Sequence, residues 1–332
     1  MTARILILAF IATTEVACGG GSPATRDPVI AAPDCVGPAN IIAEDAREPL
    51  NQTFIRVQHI GDPGTDELLR ETANPVTWDV GSMTGLHVDP SWQRGYRDAP
   101  PPVAASAFQL SCERAGFLIN SFQFGHSQPL FGEGPSASIG RTFEPAPLAY
   151  ADEQSKLAIQ GRVAVPTSQS PALVPDLGVT AVSFFYYVQD TTTGTNIAHV
   201  IGLFDNRSPG TGGSGNEFLS NDGITAFAGS PLAPVDGSGH AVRFVEAPAT
   251  SATMRFQAWS EPVFFRAEIP YARFKAMLEA LNSSSLPGSR VSTDPRNYRV
   301  LFFGVLAEVF VGTTRDHDVI LGGSVSDLTL TR

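Results

Sequence analysis

At 332 residues the chain is long enough for one large β domain or two of medium size. Gly 31 and Pro 26 exceed ordinary globular usage and the 17% of charged residues falls below it, which argues against helix bundles and coiled coils; 42% apolar residues, with 21 Phe, exclude a disordered chain. A formal charge of −11 lacks the basic footprint that nucleic-acid phosphates require.

Residues 1–17 hold Arg4, the apolar run from Ile5 to Ala12 and the small-residue end Val16-Ala17, the three parts of an export signal. As a helix that run rises only about 12 Å against a hydrocarbon core of ~30 Å, so it does not span a bilayer. Cys18 follows at once and opens the stretch Gly19-Gly20-Gly21-Ser22-Pro23. This context resembles the lipobox of bacterial lipoproteins. The resemblance is confined to the start of the chain. It implies that Cys18 is diacylated and becomes the new N-terminus, with residues 18–34 as a tether. Gly19, in place of an Asp after the cysteine, then directs the protein to the outer membrane, facing periplasm or cell surface. Two acyl chains anchor a protein stably. If Cys18 carries lipid, Cys35 and Cys112 are left as an even pair in an oxidising compartment and are expected to form a disulfide. Neither lies in a CxxC or Cys/His spacing, so zinc is not indicated.

Residues 35–112 read as a loop-rich N-terminal lobe, with a strand at Thr53–Ile60, a short helical piece at Asp66–Thr72 and the Pro-rich stretch Ala99–Pro102. Residues 113–332 read as the main domain. Lys156–Val165 alternates, with Leu157, Ile159, Val163 and Val165 on one face and Lys156, Gln160 and Arg162 on the other, which is a half-buried strand. Val179–Gln189 and Asn196–Phe204 flank a run of turn formers and predict a hairpin. Phe274, Met277, Leu278 and Leu281 recur at helical spacing, so Tyr271–Asn282 is a helix, with Pro270 suited to its first turn. Tyr298–Val311 is apolar on both faces and should be a central strand. Asp318–Leu321 and Val325–Leu330 have opposite parity, which a bulge at Gly322-Gly323 would reconcile. Many short strands with glycine turns and one helix predict an all-β, two-sheet, jelly-roll-like β-sandwich with one docked α-helix.

For chemistry, no Gly-x-Ser-x-Gly is present; Gly212-Gly213-Ser214-Gly215-Asn216 ends in the wrong residue and lies in a polar loop. His59, His87, His126, His199, His240 and His317 are scattered, and His199, on a strand face with Ile197, Ile201 and Leu203, reads as a hydrogen-bonded core histidine. No cofactor is indicated, although Asp205, Asn216, Glu217 and Asp222 around a Gly-rich loop make a calcium candidate that ranks below a plain polar loop. Carboxylates for glycoside cleavage would be Glu261, Glu268 or Glu308, with Glu268 and Glu308 preferred; Glu308 shares a face with Leu306 and Phe310 where desolvation would raise its pKa, although a Glu at the sheet rim explains it equally well.

The richest candidate is a hairpin of Met254–Trp259 and Val263–Ile269 turning at Ser260-Glu261-Pro262. Met254, Phe256 and Ala258 would face Phe265, Ala267 and Ile269. The other face would pair Trp259 with Phe264, Gln257 with Arg266 and Arg255 with Glu268. Besides a solvated ion-paired face, this arrangement offers a sugar platform, an aromatic plane for the pyranose with Arg, Gln and Glu for its hydroxyls. The expectation is therefore an exported envelope lipoprotein that binds a carbohydrate or other ligand without catalysis. A polysaccharide hydrolase or lyase on the same fold is the first alternative, and a structural envelope protein the second.

Overall fold

The computed structural model describes residues 55–57, 67–69, 79–82, 86–88, 106–110, 114–120, 136–143, 145–169, 178–207, 217–221, 223, 225–232, 243–288, 290–311 and 319–332. Cys18, Cys35 and Cys112, the export segment and the tether lie outside these residues.

Three short strands come first, β1 (Ile55–Val57), β2 (Glu67–Leu69) and β3 (Asp79–Ser82), then β4 (Leu86–Val88), β5 (Ser106–Leu110), β6 (Arg114–Asn120) and β7 (Ser136–Thr142). The long strands are β8 (Lys156–Gln169), β9 (Gly178–Asp190) and β10 (Asn196–Asp205), followed by β11 (Phe218–Asn221), β12 (Thr225–Pro231) and β13 (Trp259–Pro270). The helix α1 (Tyr271–Ser283) leads to β14 (Tyr298–Val311) and β15 (Ile320–Thr331). A seven-stranded sheet runs β11-β12-β10-β9-β14-β7-β3 and a six-stranded one β13-β8-β15-β6-β5-β4, with β1 and β2 as a separate pair. The fold is a jelly-roll-like β-sandwich with one α-helix among the described residues.

The inward faces of both large sheets make the core. From the six-stranded sheet come Leu157, Ile159, Val163 and Val165 of β8 with Phe265, Ala267 and Ile269 of β13, all fully buried. Val182, Phe184, Tyr186 and Val188 of β9 meet them from the seven-stranded sheet. The strand foreseen at Lys156–Val165 runs on to Gln169. The expected hairpin is β9–β10, and β14 is central, with β9 and β7 on its two sides.

The helix begins where Pro270 ends β13, since proline's fixed φ suits a helix entry. Phe274, Met277, Leu278 and Leu281 bury one stripe, and Phe274 meets Tyr298 edge-on at 4.9 Å between ring centres. At its far end Ser284 donates its backbone N–H and its hydroxyl to the Leu281 carbonyl.

In β15 the register against β8 shifts between Gly322 and Ser324, the bulge the parity change requires. A second shift between Ser326 and Thr329 was not foreseen; Asp327 there has φ of 52°, a conformation Asp tolerates better than most residues. The helical piece expected at Asp66–Thr72 is corrected: Glu67–Leu69 is extended and pairs antiparallel with β1. A strand partner decides the conformation of so short a piece over local propensity. Pairing also crosses residue 112, since β5 lies antiparallel to β6 and β3 antiparallel to β7.

Phe244–Ala258 closes one flank of the sandwich. Glu246 and Glu268 exchange two backbone hydrogen bonds of 2.7 Å, which covers the free edge of β13. Further along, Arg255 donates its N–H to Leu203 O and accepts from Asp205 N, both at 3.0 Å, so this segment reaches the other sheet.

Candidate functional site

The 254–269 hairpin does not form. Residues 259–270 make one strand that runs antiparallel to β8, with Trp259 opposite Val165 and Val263 opposite Val163. Ser260, Glu261 and Pro262 are an exposed bulge in that strand rather than a turn. Proline has no N–H to lose from the ladder, so the bulge suits it. Phe264, Arg266 and Glu268 do share an outer face, but their partners come from β8: Phe264 lies opposite Arg162, whose guanidinium is 5.9 Å from the ring centre, and Arg266 opposite Gln160. Arg266 donates to Gln160 Oε1 at 2.7 Å and to Glu268 Oε1 at 2.8 Å, while Lys156 Nζ reaches both Glu268 oxygens at 3.0 Å. Gln257 is exposed and forms no cross-strand pair with Arg266. The expected ion-paired face exists, with different partners.

This network removes Glu268 from the candidates for a proton donor. Burial pushes its pKa up, but the hydrogen bonds and charges of Arg266 and Lys156 outweigh that and hold it below the usual range. Nor is Trp259 a free platform. Its indole N–H donates to Val163 O at 2.9 Å, and its ring packs against Phe204 and Phe265 and under the Arg255 guanidinium.

His199 is fully buried, with Nδ1 2.9 Å from the Tyr186 hydroxyl and Nε2 2.8 Å from Ser230 Oγ. Tyr186 is in turn hydrogen-bonded to Tyr150, which donates to Ile269 O at 3.3 Å. Burial lowers the His199 pKa to about 3, so the imidazole is neutral, as the core reading requires. Two of the four calcium candidates already have partners. Both Asp205 oxygens accept from the Arg207 guanidinium, which supplies the positive charge a metal would have supplied, and Glu217 Oε1 accepts from Phe244 N at 2.7 Å. Asn216 and Asp222 lie outside the described residues.

The seven-stranded sheet carries a second apolar cluster on its outer face, in which Tyr187, Ala198 and Phe227 are buried and Phe185 and Phe302 are half-buried. Registers align Phe227, Ala198, Tyr187 and Phe302 in one row across β12, β10, β9 and β14. The next row reads Phe218, Gly229, Val200, Phe185, Gly304, Gly140. The Phe218 ring lies over Gly229, and the Phe302 ring over Gly140 and Gly304, where any Cβ would overlap it. Phe185 is 5.7 Å from Phe302 and 6.2 Å from Tyr187 between ring centres. Sequence reading missed this face; its one legible signal was that β14 is apolar on both sides.

Two further rows along, Asp205, Ala181 and Glu308 align across β10, β9 and β14. Six residues separate Tyr187 from Ala181 on β9, so this row lies ~20 Å from the first. The Glu308 carboxyl makes no hydrogen bond among the described residues. Desolvation, with a contribution from the Asp205 charge and against that of Arg207, lifts its pKa to about 7. The raised pKa anticipated for Glu308 is therefore present. Asp205 and Arg207 beside it form an ion pair in which Arg207 also takes the backbone role of donating its N–H to Asp205 Oδ1 at 2.9 Å.

No protein-family description matches the chain, and no curated protein matches it. Solved structures do show a likeness of fold. The xyloglucanase domain of NopAA, a type three effector from Sinorhizobium fredii in complex with cellobiose, is 8% identical, with 68% of this chain and 86% of that one covered and a TM-score of 0.31. The family 11 xylanase from Neocallimastix patriciarum is 10% identical, with 68% and 94% covered and a TM-score of 0.31. At this identity the likeness concerns the fold alone.

Proposed function

We propose that the protein is exported, anchored at the outer membrane through lipid on Cys18, and binds polysaccharide on the outer face of its seven-stranded sheet. The aromatic rows carry this reading. An outward sheet face is ordinarily polar, whereas this one carries the half-buried rings of Phe185, Phe218 and Phe302, with glycines beneath Phe218 and Phe302. Flat aromatic surface is what the apolar face of a pyranose meets, and Glu308 supplies a carboxyl further along the same face. The platform first expected at Trp259 and Phe264 is replaced by this one. Affinity electrophoresis of the full chain through gels containing envelope and plant polysaccharides tests it. Retardation by one polymer that Phe185→Ala weakens several-fold, at unchanged circular dichroism, supports the reading. Mobility identical in every polymer removes it.

Glu308 favours a second reading, hydrolysis on the same face. A carboxyl that titrates near neutrality can donate a proton to a leaving oxygen, and Asp205 lies two strands away in the same row. Release of reducing ends that Glu308→Gln abolishes, with polymer binding kept, would select it over binding alone.

A further inference from the structure

Accessible and buried rows alternate along the outer face of the seven-stranded sheet. On β9, Ala181, Phe185 and Gln189 are half-buried, whereas Ser183 and Tyr187 between them are buried. The pattern crosses strands. Gln189 stands in a row with Asn196 of β10 and Arg299 of β14, both half-buried. Phe185 stands in a row with Val200 and Phe218, half-buried as well. Four residues of extended chain separate the two rows, ~13 Å.

The Gln189 row is polar and keeps unused hydrogen-bonding groups. Gln189 Nε2 donates to Asn196 Oδ1 at 3.2 Å, which leaves Gln189 Oε1 and Asn196 Nδ2 without a partner among the described residues. Arg299 Nη1 donates to the carbonyls of Arg296 and Tyr298, at 2.8 and 3.3 Å, so the guanidinium is held while its Nε and Nη2 stay unengaged among the described residues. These groups reach the surface: the described side-chain atoms buried without a partner are Ser220 Oγ, Arg255 Nε and Thr329 Oγ1. Neighbouring strands lie ~4.8 Å apart, so an acceptor and two sets of donors stand in one short line. Mixed donors and acceptors match hydroxyls, which do both, and a net charge of −11 opposes a polyanion.

We propose that Asn196, Gln189 and Arg299 form a hydroxyl-binding subsite for a neutral glycan that stacks on Phe185, with the glycan running along β9 and not across the strands. This subsite presupposes the binding reading of the face and adds to it a direction, a minimum length and a charge class. At roughly 5 Å per sugar, a ring on Phe185 and hydroxyls at Gln189 are joined by a chain of about four units, whereas a disaccharide reaches only one of the two rows.

Isothermal titration calorimetry of the detergent-solubilised full chain with cello-, manno- and galacturono-oligosaccharides of two to six units tests this. Affinity for one of the neutral series should rise at least roughly tenfold between two and four units. Gln189→Ala and Asn196→Ala should remove that rise and leave disaccharide binding as it was, which also shows that the variants fold. Phe185→Ala should weaken every length. A rise that both Gln189→Ala and Asn196→Ala leave intact overturns the subsite and keeps the aromatic platform. A Phe185→Ala variant that binds like the unaltered chain overturns the platform itself. Tighter binding of the galacturonides overturns the charge class, and no binding in any series overturns the proposal.

Discussion

The Tyr186 hydroxyl lies 2.9 Å from His199 Nδ1 at the centre of the sandwich, where neither residue meets solvent. Ser230 partners the other ring nitrogen, and burial of the ring penalises a second proton, so the imidazole stays neutral. This arrangement ties stability to pH.

His199 falls from 6.5 to about 3 on folding. Its contribution is therefore whole above pH 6.5 and is lost as the pH falls from 6.5 towards 3, at about 1.4 kcal/mol per unit. Glu308 rises from 4.5 to about 7, so folding is least penalised below pH 4.5, and stability declines as the pH rises from 4.5 to 7. Between pH 4.5 and 6.5 the two slopes oppose each other. Urea unfolding of Glu308→Gln should accordingly gain stability with rising pH across that window, and that of His199→Gln should lose it. The same slope in both variants would contradict these assignments.

Asp190 is a buried anchor of a different kind. Its carboxylate accepts from Thr192 N and Oγ1, Thr193 Oγ1 and Ser292 N, the last at 2.7 Å, so it ties the β9–β10 turn to the irregular segment leading into β14. Burial raises its pKa, but these bonds outweigh that and leave it lowered. Asp190→Ala leaves several donors without an acceptor and should cost ~3 kcal/mol in chemical denaturation. In the native protein this contribution is present above the unfolded value of 3.8 and is lost as the pH falls through the lower folded one.

Gly304 and Gly140 approach too closely for side chains. A Cβ on Gly304 would lie 2.3 Å from Ile139 O and 2.8 Å from Gly140 Cα, both backbone atoms that cannot turn aside. Gly304→Ala should cost about 3 kcal/mol or prevent folding. Gly194, at φ of 73° with nothing within 4 Å, gives the contrast: Gly194→Ala should cost only ~1 kcal/mol, from backbone strain alone. Thermal unfolding of the two variants checks the difference.

For the proposed anchor, radiolabelled palmitate should mark the unaltered chain and not Cys18→Ser. Non-reducing peptide mass spectrometry should find Cys35 joined to Cys112. An unlabelled wild type removes the lipid anchor and leaves the sandwich untouched.

Periodicity was enough to read β8, the β9–β10 hairpin, α1 and the central place of β14, because each of these patterns depends on spacing within one segment. The same holds for His199, whose apolar strand neighbours marked it as a core residue. Partnership was a different matter. Phe264, Arg266 and Glu268 were correctly placed on one face, yet their partners Arg162, Gln160 and Lys156 come from a strand about a hundred residues away. Complementary charges close in sequence suggested a local hairpin, but any strand of matching parity can satisfy such a face. The aromatic rows on the outer face of the seven-stranded sheet were hidden for the same reason. Phe227, Tyr187 and Phe302 belong to three separate strands, and only the registers of β12, β10, β9 and β14 bring them into one row. Alternation along a chain settles which side a residue faces; hydrogen-bonded register between distant strands decides what stands beside it.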